Sequence, residues 1–228
     1  MTPLPLDLQL LNVCAALLLL LAFAMLSQRR VVALVTLLAW QGALLCTATL
    51  LVAWRTGDSH LYLSAALTLA LKVALLPWIL SRLIRRLGVY WDTESTLDVT
   101  PTMLIGLLIV IFSFGLAQPI SELANTAIRS AIGIAVAVIL LSFLMMITRR
   151  KAMSQVVGFL SMENGLFFGA MSATYGMPMI VELGVALDIL VAMLVLGVFF
   201  FQIRERFDSL DLHHLEQLKE ERSTQEQG

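Results

Sequence analysis

The chain has 228 residues, of which 59% are hydrophobic and only 14% are charged, and its formal net charge is −1. A soluble domain carries about 25% charged residues, so the composition excludes an ordinary water-soluble protein and indicates a membrane protein. The near-zero net charge gives no electrostatic reason to expect a nucleic-acid partner. Both cysteines, Cys14 and Cys46, lie in apolar segments. Without a CxxC pair they predict no disulfide framework, iron–sulfur cluster or haem, and we expect no cofactor or metal.

Long apolar segments follow one another along the chain, and a bilayer-spanning helix needs about 20 such residues. Seven of them cover residues 10–26, 31–54, 61–83, 102–118, 125–147, 152–175 and 178–203. Only Gly176 and Met177 separate the last two, which predicts antiparallel neighbours. We therefore predict an all-α polytopic membrane protein of about seven transmembrane helices. Its expected parts are helices 1–3 (1–84), a cytoplasmic loop (85–101), connector helix 4 (102–118), helices 5–7 (125–203) and a cytoplasmic tail (204–228).

Lysine and arginine residues collect on one side of these segments, and such residues favour cytoplasmic loops. Twelve of them lie at or after the ends of odd-numbered segments, against two, Arg55 and Arg129, after even-numbered ones. The twelve are Arg29, Arg30, Arg82, Arg85, Arg86, Arg149, Arg150, Lys151, Arg204, Arg206, Lys219 and Arg222. This asymmetry predicts an N-terminus outside and a C-terminus in the cytoplasm, which requires an odd number of spans.

Four polar residues interrupt the apolar segments close to their centres: Gln41, Lys72, Glu163 and Asp188. At a rise of about 1.5 Å per residue, all four are expected within a few ångströms of the bilayer midplane. Each ionisable group there costs roughly 2.5–3.5 kcal/mol and marks a functional position. Groups at one depth suit proton movement within the membrane plane, so we predict a proton relay of Lys72, Glu163 and Asp188, with Gln41 beside it.

A structural interpretation stays open for each of these residues. Glu163 or Asp188 could be a protonated carboxyl group that makes a helix–helix hydrogen bond. Lys72 could be an ion-pair anchor for either of them, and Gln41 could be a packing contact.

The two halves of the chain also show weak similarity across about 120 residues. Gln28-Arg29-Arg30 corresponds to Thr148-Arg149-Arg150, Gln41-Gly42 falls near Glu163-Asn164-Gly165, and Lys72 falls within about one turn of Asp188. The pattern predicts a parallel repeat of two three-helix units, with the fourth helix as connector.

The residues from Gly158 to Arg206 include Met162-Glu163-Asn164-Gly165, Val181-Glu182-Leu183-Gly184 and Asp188. Together with Lys72-Val73 and Pro77, they make the chain resemble hydrogenase-4 component E, a membrane subunit of group 4 hydrogenase complexes such as formate hydrogenlyase. The last three helices are similar to the NuoK-type subunit of respiratory complex I, which carries a glutamate in its second and third helices. Glu163 and Asp188 would take those roles, although Glu163 falls about one turn later and the second carboxylate is an aspartate.

The resemblance implies a non-redox subunit of an oxidoreductase complex in a bacterial cytoplasmic (inner) membrane, not an enzyme by itself. Its implied partners are antiporter-like membrane subunits and a peripheral redox or other cytoplasmic arm, besides the lipid bilayer. Two alternatives remain: a structural or assembly subunit, and a stand-alone transporter of an ion or small solute. The second would need a substrate pocket, and the sequence lacks the paired broken helices typical of such folds.

Overall fold

The computed structural model describes residues 6–57, 59–87, 97–118 and 126–174, and the single positions Gly184, Ile189, Leu190 and Met193. All regular elements in these residues are helices. They are α1 (Leu6–Ser27), α2 (Val31–Thr56), α3, α4 (Val99–Ala117), α5 (Thr126–Thr148) and α6 (Ala152–Thr174). The helix α3 has three consecutive parts: an α-helical Ser59–Thr68, a π-helical Leu69–Leu75 and an α-helical Leu76–Leu87.

Six helices in the described part of the chain are long and apolar enough to cross a membrane. They coincide with the first six predicted segments, so the all-helical, polytopic prediction is confirmed for these residues. Almost all of the predicted seventh segment, including Asp188, and the whole tail lie outside the described residues. The orientation and the parallel repeat stay predictions.

Two helix ends differ from the predicted ones. The helix α4 begins at Val99, so Pro101 lies inside its first turn, where a residue without an N–H group is tolerated. The helix α3 continues to Leu87, past the charged residues that were expected to end it. Arg85 and Arg86 are exposed there, because a charged side chain on a helix surface can reach water without breaking the helix.

The helices α2, α3 and α6 meet in the interior. The helix α2 contacts α1, α3 and α6, while α6 runs against α5 along its length. Close packing of α5 and α6 depends on small residues, since a Cβ atom at Gly158 would lie 2.9 Å from Met146 Cγ and one at Gly165 would lie 3.0 Å from Val138 Cγ1. Small residues at such contacts let membrane helices approach closely.

A buried arginine joins the turn after α5 to the end of α1. Arg149 is only 4% exposed, and its Nη2 donates hydrogen bonds to the carbonyl oxygens of Leu26 (2.9 Å) and Gln28 (2.6 Å). Helix C-termini leave carbonyl groups without intrahelical partners, and a cation there also suits the helix dipole. Arg149 is therefore a helix cap and an inter-helix link, which its place among the basic turn residues did not indicate.

Candidate functional site

A buried ion pair joins α3 to α6. Lys72 Nζ lies 2.7 Å from Glu163 Oε1, and the side chains are only 4% and 3% exposed. Charges removed from water to this extent are stabilised only by close partners and further hydrogen bonds. The sequence left open whether Lys72 would pair with Glu163 or with Asp188, and the described residues show the pair with Glu163.

Two amide side chains extend the pair to α2. Lys72 Nζ also donates to Asn164 Oδ1 at 2.9 Å, and Asn164 Nδ2 donates to Gln41 Oε1 at 3.4 Å. Gln41 is completely buried, and its Nε2 has no hydrogen-bond partner among the described residues. Glu163, Lys72, Asn164 and Gln41 therefore form one hydrogen-bonded chain across three helices at one level.

Lys72 lies in the π-helical part of α3. At its end the N–H of Leu76 bonds to Leu71 O, five residues back. Pro77 follows directly, and a proline cannot donate to the carbonyl four residues earlier and clashes with it in a regular α-helix. The wider π turn accommodates this break, and such turns occur frequently at functional sites. Lys72 is the buried residue of this turn, so the irregular backbone determines where the ammonium group lies.

Gly42 allows α2 to approach this turn. A Cβ atom at Gly42 would lie 3.0 Å from Lys72 Cβ and 3.2 Å from both the carbonyl carbon and the oxygen of Lys72. Two of these contacts are with backbone atoms and the third is with Cβ, so none can be relieved by a rotamer change. The glycine beside Gln41 therefore has a packing role against the residue that carries the charge.

An aromatic ring and a small cavity flank the pair. Lys72 Nζ lies 5.4 Å from the centroid of the Phe167 ring, a distance typical of a cation–π contact. A cavity of about 10 Å³ lies beside the pair; its lining residues are Leu38, Lys72, Leu76, Leu160, Glu163 and Asn164. Gly184 also packs against the Phe167 ring, since a Cβ atom at Gly184 would lie 2.5 Å from Phe167 Cδ2.

The structure thus brings together three of the four predicted site residues: Gln41, Lys72 and Glu163. Asp188, the fourth, lies outside the described residues. Sequence reasoning missed Asn164, which connects Lys72 to Gln41, and Phe167. The available signal was a spacing of one helical turn between Glu163 and Phe167 and the position of Asn164 directly beside Glu163, inside an otherwise apolar segment.

The sequence is similar to those of several known proteins. It is 35% identical over 189 residues to the uncharacterized protein Rv0085 of Mycobacterium tuberculosis, covering 82% of this chain and 86% of that protein. It is 26% identical over 148 residues to hydrogenase-4 component E of Escherichia coli strain K12, covering 65% of this chain and 68% of that protein. The same values hold for hydrogenase-4 component E of Shigella flexneri.

No family model matches the chain, and no solved structure matches it. The similarity to the NuoK-type subunit stays a prediction. The relation to component E is distant, but it spans most of both chains. With more than a third of aligned positions identical over most of both proteins, this chain belongs to the same protein family as Rv0085 of M. tuberculosis and is a distant homologue of hydrogenase-4 component E.

Proposed function

We propose that this protein is a non-redox membrane subunit of a hydrogenase-type complex, and that Lys72 and Glu163 pass protons within the membrane. The homology to hydrogenase-4 component E supports the first part of the proposal. The buried pair, 2.7 Å between Lys72 Nζ and Glu163 Oε1, supports the second.

The geometry of the pair suits proton exchange. A proton that moves from Lys72 Nζ to Glu163 Oε1 converts an ammonium and a carboxylate into an amine and a carboxylic acid. Both states have a net charge of zero, so neither adds the cost of an isolated charge in the bilayer. A separation of 2.7 Å is the length of a strong charge-assisted hydrogen bond. The pair can therefore exchange its shared proton between the two side chains with little movement of the helices.

The two amides continue the hydrogen-bonded chain from Lys72 toward α2. Asn164 contacts Lys72 from α6, and Gln41 on α2 is the far end of the chain. Asp188 is the second carboxylate of the proposed relay, as its place in the sequence predicts. Antiporter-like membrane subunits are the proposed partners that receive or supply the proton.

Replacement of one carboxylate tests the relay. Glu163→Gln keeps the shape of the side chain and removes its ability to take up a proton. We expect proton uptake per turnover in liposomes to fall at least about tenfold; the uptake is measured per assembled complex, because loss of the counter-charge of Lys72 also lowers stability. Asp98→Asn is the matched control, since it makes the same chemical change on a side chain that is 90% exposed.

The result also separates the relay from an assembly role. Full proton translocation by Glu163→Gln would exclude the relay. A lower complex yield, with normal proton uptake per assembled complex, would instead indicate that the buried pair serves packing between helices.

A further inference from the structure

The cavity lies on the side of the ion pair that faces the Arg149 end of the bundle. Leu38, Leu76 and Leu160 border the cavity, and each lies about one helical turn from Gln41, Lys72 and Glu163, respectively. Because α2 and α6 begin, and α3 ends, at the end of the bundle that carries Arg149, all three leucines lie toward that end. Leu38 is seven residues into α2, so the cavity is about 10 Å from the start of the helix at 1.5 Å per residue.

The opposite side of the pair is closely packed. One turn beyond the pair, toward the other end of the bundle, Leu45 and Phe168 are completely buried and Phe167 is 5% exposed. Further along, Thr49 Oγ1 donates to Met171 Sδ at 3.4 Å. The pair therefore has a small space on one side and side chains in contact on the other.

The size and lining of the cavity suit one water molecule. A water needs roughly 10–15 Å³ of accessible space and two to four polar partners, and the cavity measures about 10 Å³. Lys72, Glu163 and Asn164 are the polar residues of its lining, and the three leucines line it toward the Arg149 end of the bundle. A cavity lined by apolar groups alone would stay dry.

We propose that this cavity binds one water molecule and that Leu38, Leu76 and Leu160 form a gate through which protons reach Glu163 from the Arg149 end of the bundle. This inference rests on the proposed relay and names its entrance. A hydronium ion that arrives through the gate gives its proton to the Glu163 carboxylate, which becomes a carboxylic acid, and the donor remains as neutral water. The charge predicted for the loops assigns this entrance to the cytoplasmic side.

The gate is tested by changing the size of one leucine in the intact complex, reconstituted into liposomes. Leu160→Phe fills the cavity, and we expect proton uptake per turnover to fall at least about tenfold at normal complex yield. Leu166→Phe is the matched control, because Leu166 lies on the same helix and is 50% exposed. Unchanged uptake with Leu160→Phe, in a preparation where Glu163→Gln does abolish uptake, overturns the gate and leaves the relay standing.

A second variant covers the case in which the phenylalanine disturbs folding. Leu160→Ala widens the entrance, and we expect passive proton flux into the liposomes to rise at least about threefold. The increase should disappear in Leu160→Ala/Glu163→Gln, because the flux passes through the carboxylate. A flux at the wild-type level in Leu160→Ala, or an increase that persists without Glu163, overturns the proposal; the latter is the result expected of a bundle that is merely loosened.

Discussion

At the scale of single residues, the pairing of Lys72 with Glu163 explains how two charges are tolerated in an apolar bundle. Burying each charge alone costs several kcal/mol of desolvation free energy in this environment. The attraction within a buried pair offsets that cost only when the two groups are close and further hydrogen bonds satisfy them. The bond from Lys72 to Asn164 supplies such a hydrogen bond. The two residues are therefore interdependent, because removal of one leaves the other without its counter-charge.

This dependence can be measured with a double-mutant cycle. We expect Lys72→Met to destabilise the protein by about 3–5 kcal/mol, the usual cost of breaking a buried pair by removing one partner. Lys72→Met/Glu163→Met should be closer to the wild type, because no charge remains buried. Thermal unfolding of the purified complex in detergent gives the comparison. If the destabilisation of the double variant equals the sum of those of Lys72→Met and Glu163→Met, the residues do not act as a pair.

At the scale of the elements, the π-helical part of α3 and the glycine of α2 form one contact. The π turn ends directly before Pro77 and places Lys72 toward the interior. Gly42 then allows the α2 backbone to lie against the Lys72 backbone. A regular α-helix through this region would rotate Lys72 relative to α6, so the local irregularity and the ion pair depend on each other.

Gly42→Ala tests this contact. The added methyl group would lie 3.2 Å from the carbonyl carbon and oxygen of Lys72, so α2 and α3 must separate. We expect the free energy of unfolding to fall by about 1–3 kcal/mol, which is typical of an overpacked core. Proton uptake should fall together with stability, because the displaced backbone is that of Lys72, which carries the proposed relay.

Gly115→Ala is the control within the chain. A Cβ atom there meets nothing within 4 Å in the described residues, and alanine favours a helix interior over glycine by roughly 0.5–1 kcal/mol. Thermal unfolding should therefore show opposite shifts for the two variants. Equal shifts would mean that the close approach at Gly42 carries no energetic weight.

At the scale of the whole molecule, the bundle exposes wide apolar surfaces. On α4 the side chains of Leu108, Ile111 and Phe112 are 66%, 63% and 59% exposed, and on α2 Trp40 and Trp54 are 61% and 73% exposed. In a bilayer such surfaces contact lipid or the helices of other subunits. The proposed membership in a complex requires that some of this surface contacts partners.

Purification from native membranes in a mild detergent tests membership directly. We expect mass spectrometry to find antiporter-like membrane subunits together with a hydrogenase or other redox arm bound to the tagged chain. A tagged, unrelated polytopic protein from the same membranes controls for co-solubilised material. Recovery of this chain as a homogeneous homo-oligomer would point to a stand-alone transporter and away from a complex subunit.

The sequence by itself determined that the chain is a helical membrane protein and where six of its spans lie. It also predicted Gln41, Lys72, Glu163 and Asp188 at one depth, and the first three of these belong to one hydrogen-bonded chain. It could do so because long apolar segments satisfy their backbone hydrogen bonds within the membrane only as helices, and because the cost of buried charge makes each exception conspicuous. Arg149 shows the limit of that reasoning, since the sequence used it only as a basic residue that marks one side of the membrane, whereas the structure buries it as a helix cap.

Only the tertiary structure decided which groups meet. Among the described residues it brought Glu163 to Lys72, placed Asn164 and Phe167 beside them, and gave Gly42 its packing role. The sequence could not supply these contacts, because side-chain direction depends on helix rotation, and the π turn before Pro77 changes that rotation by an amount that apolar periodicity does not record. The contacts follow from how three helices pack against one another, and packing is a property of the folded bundle.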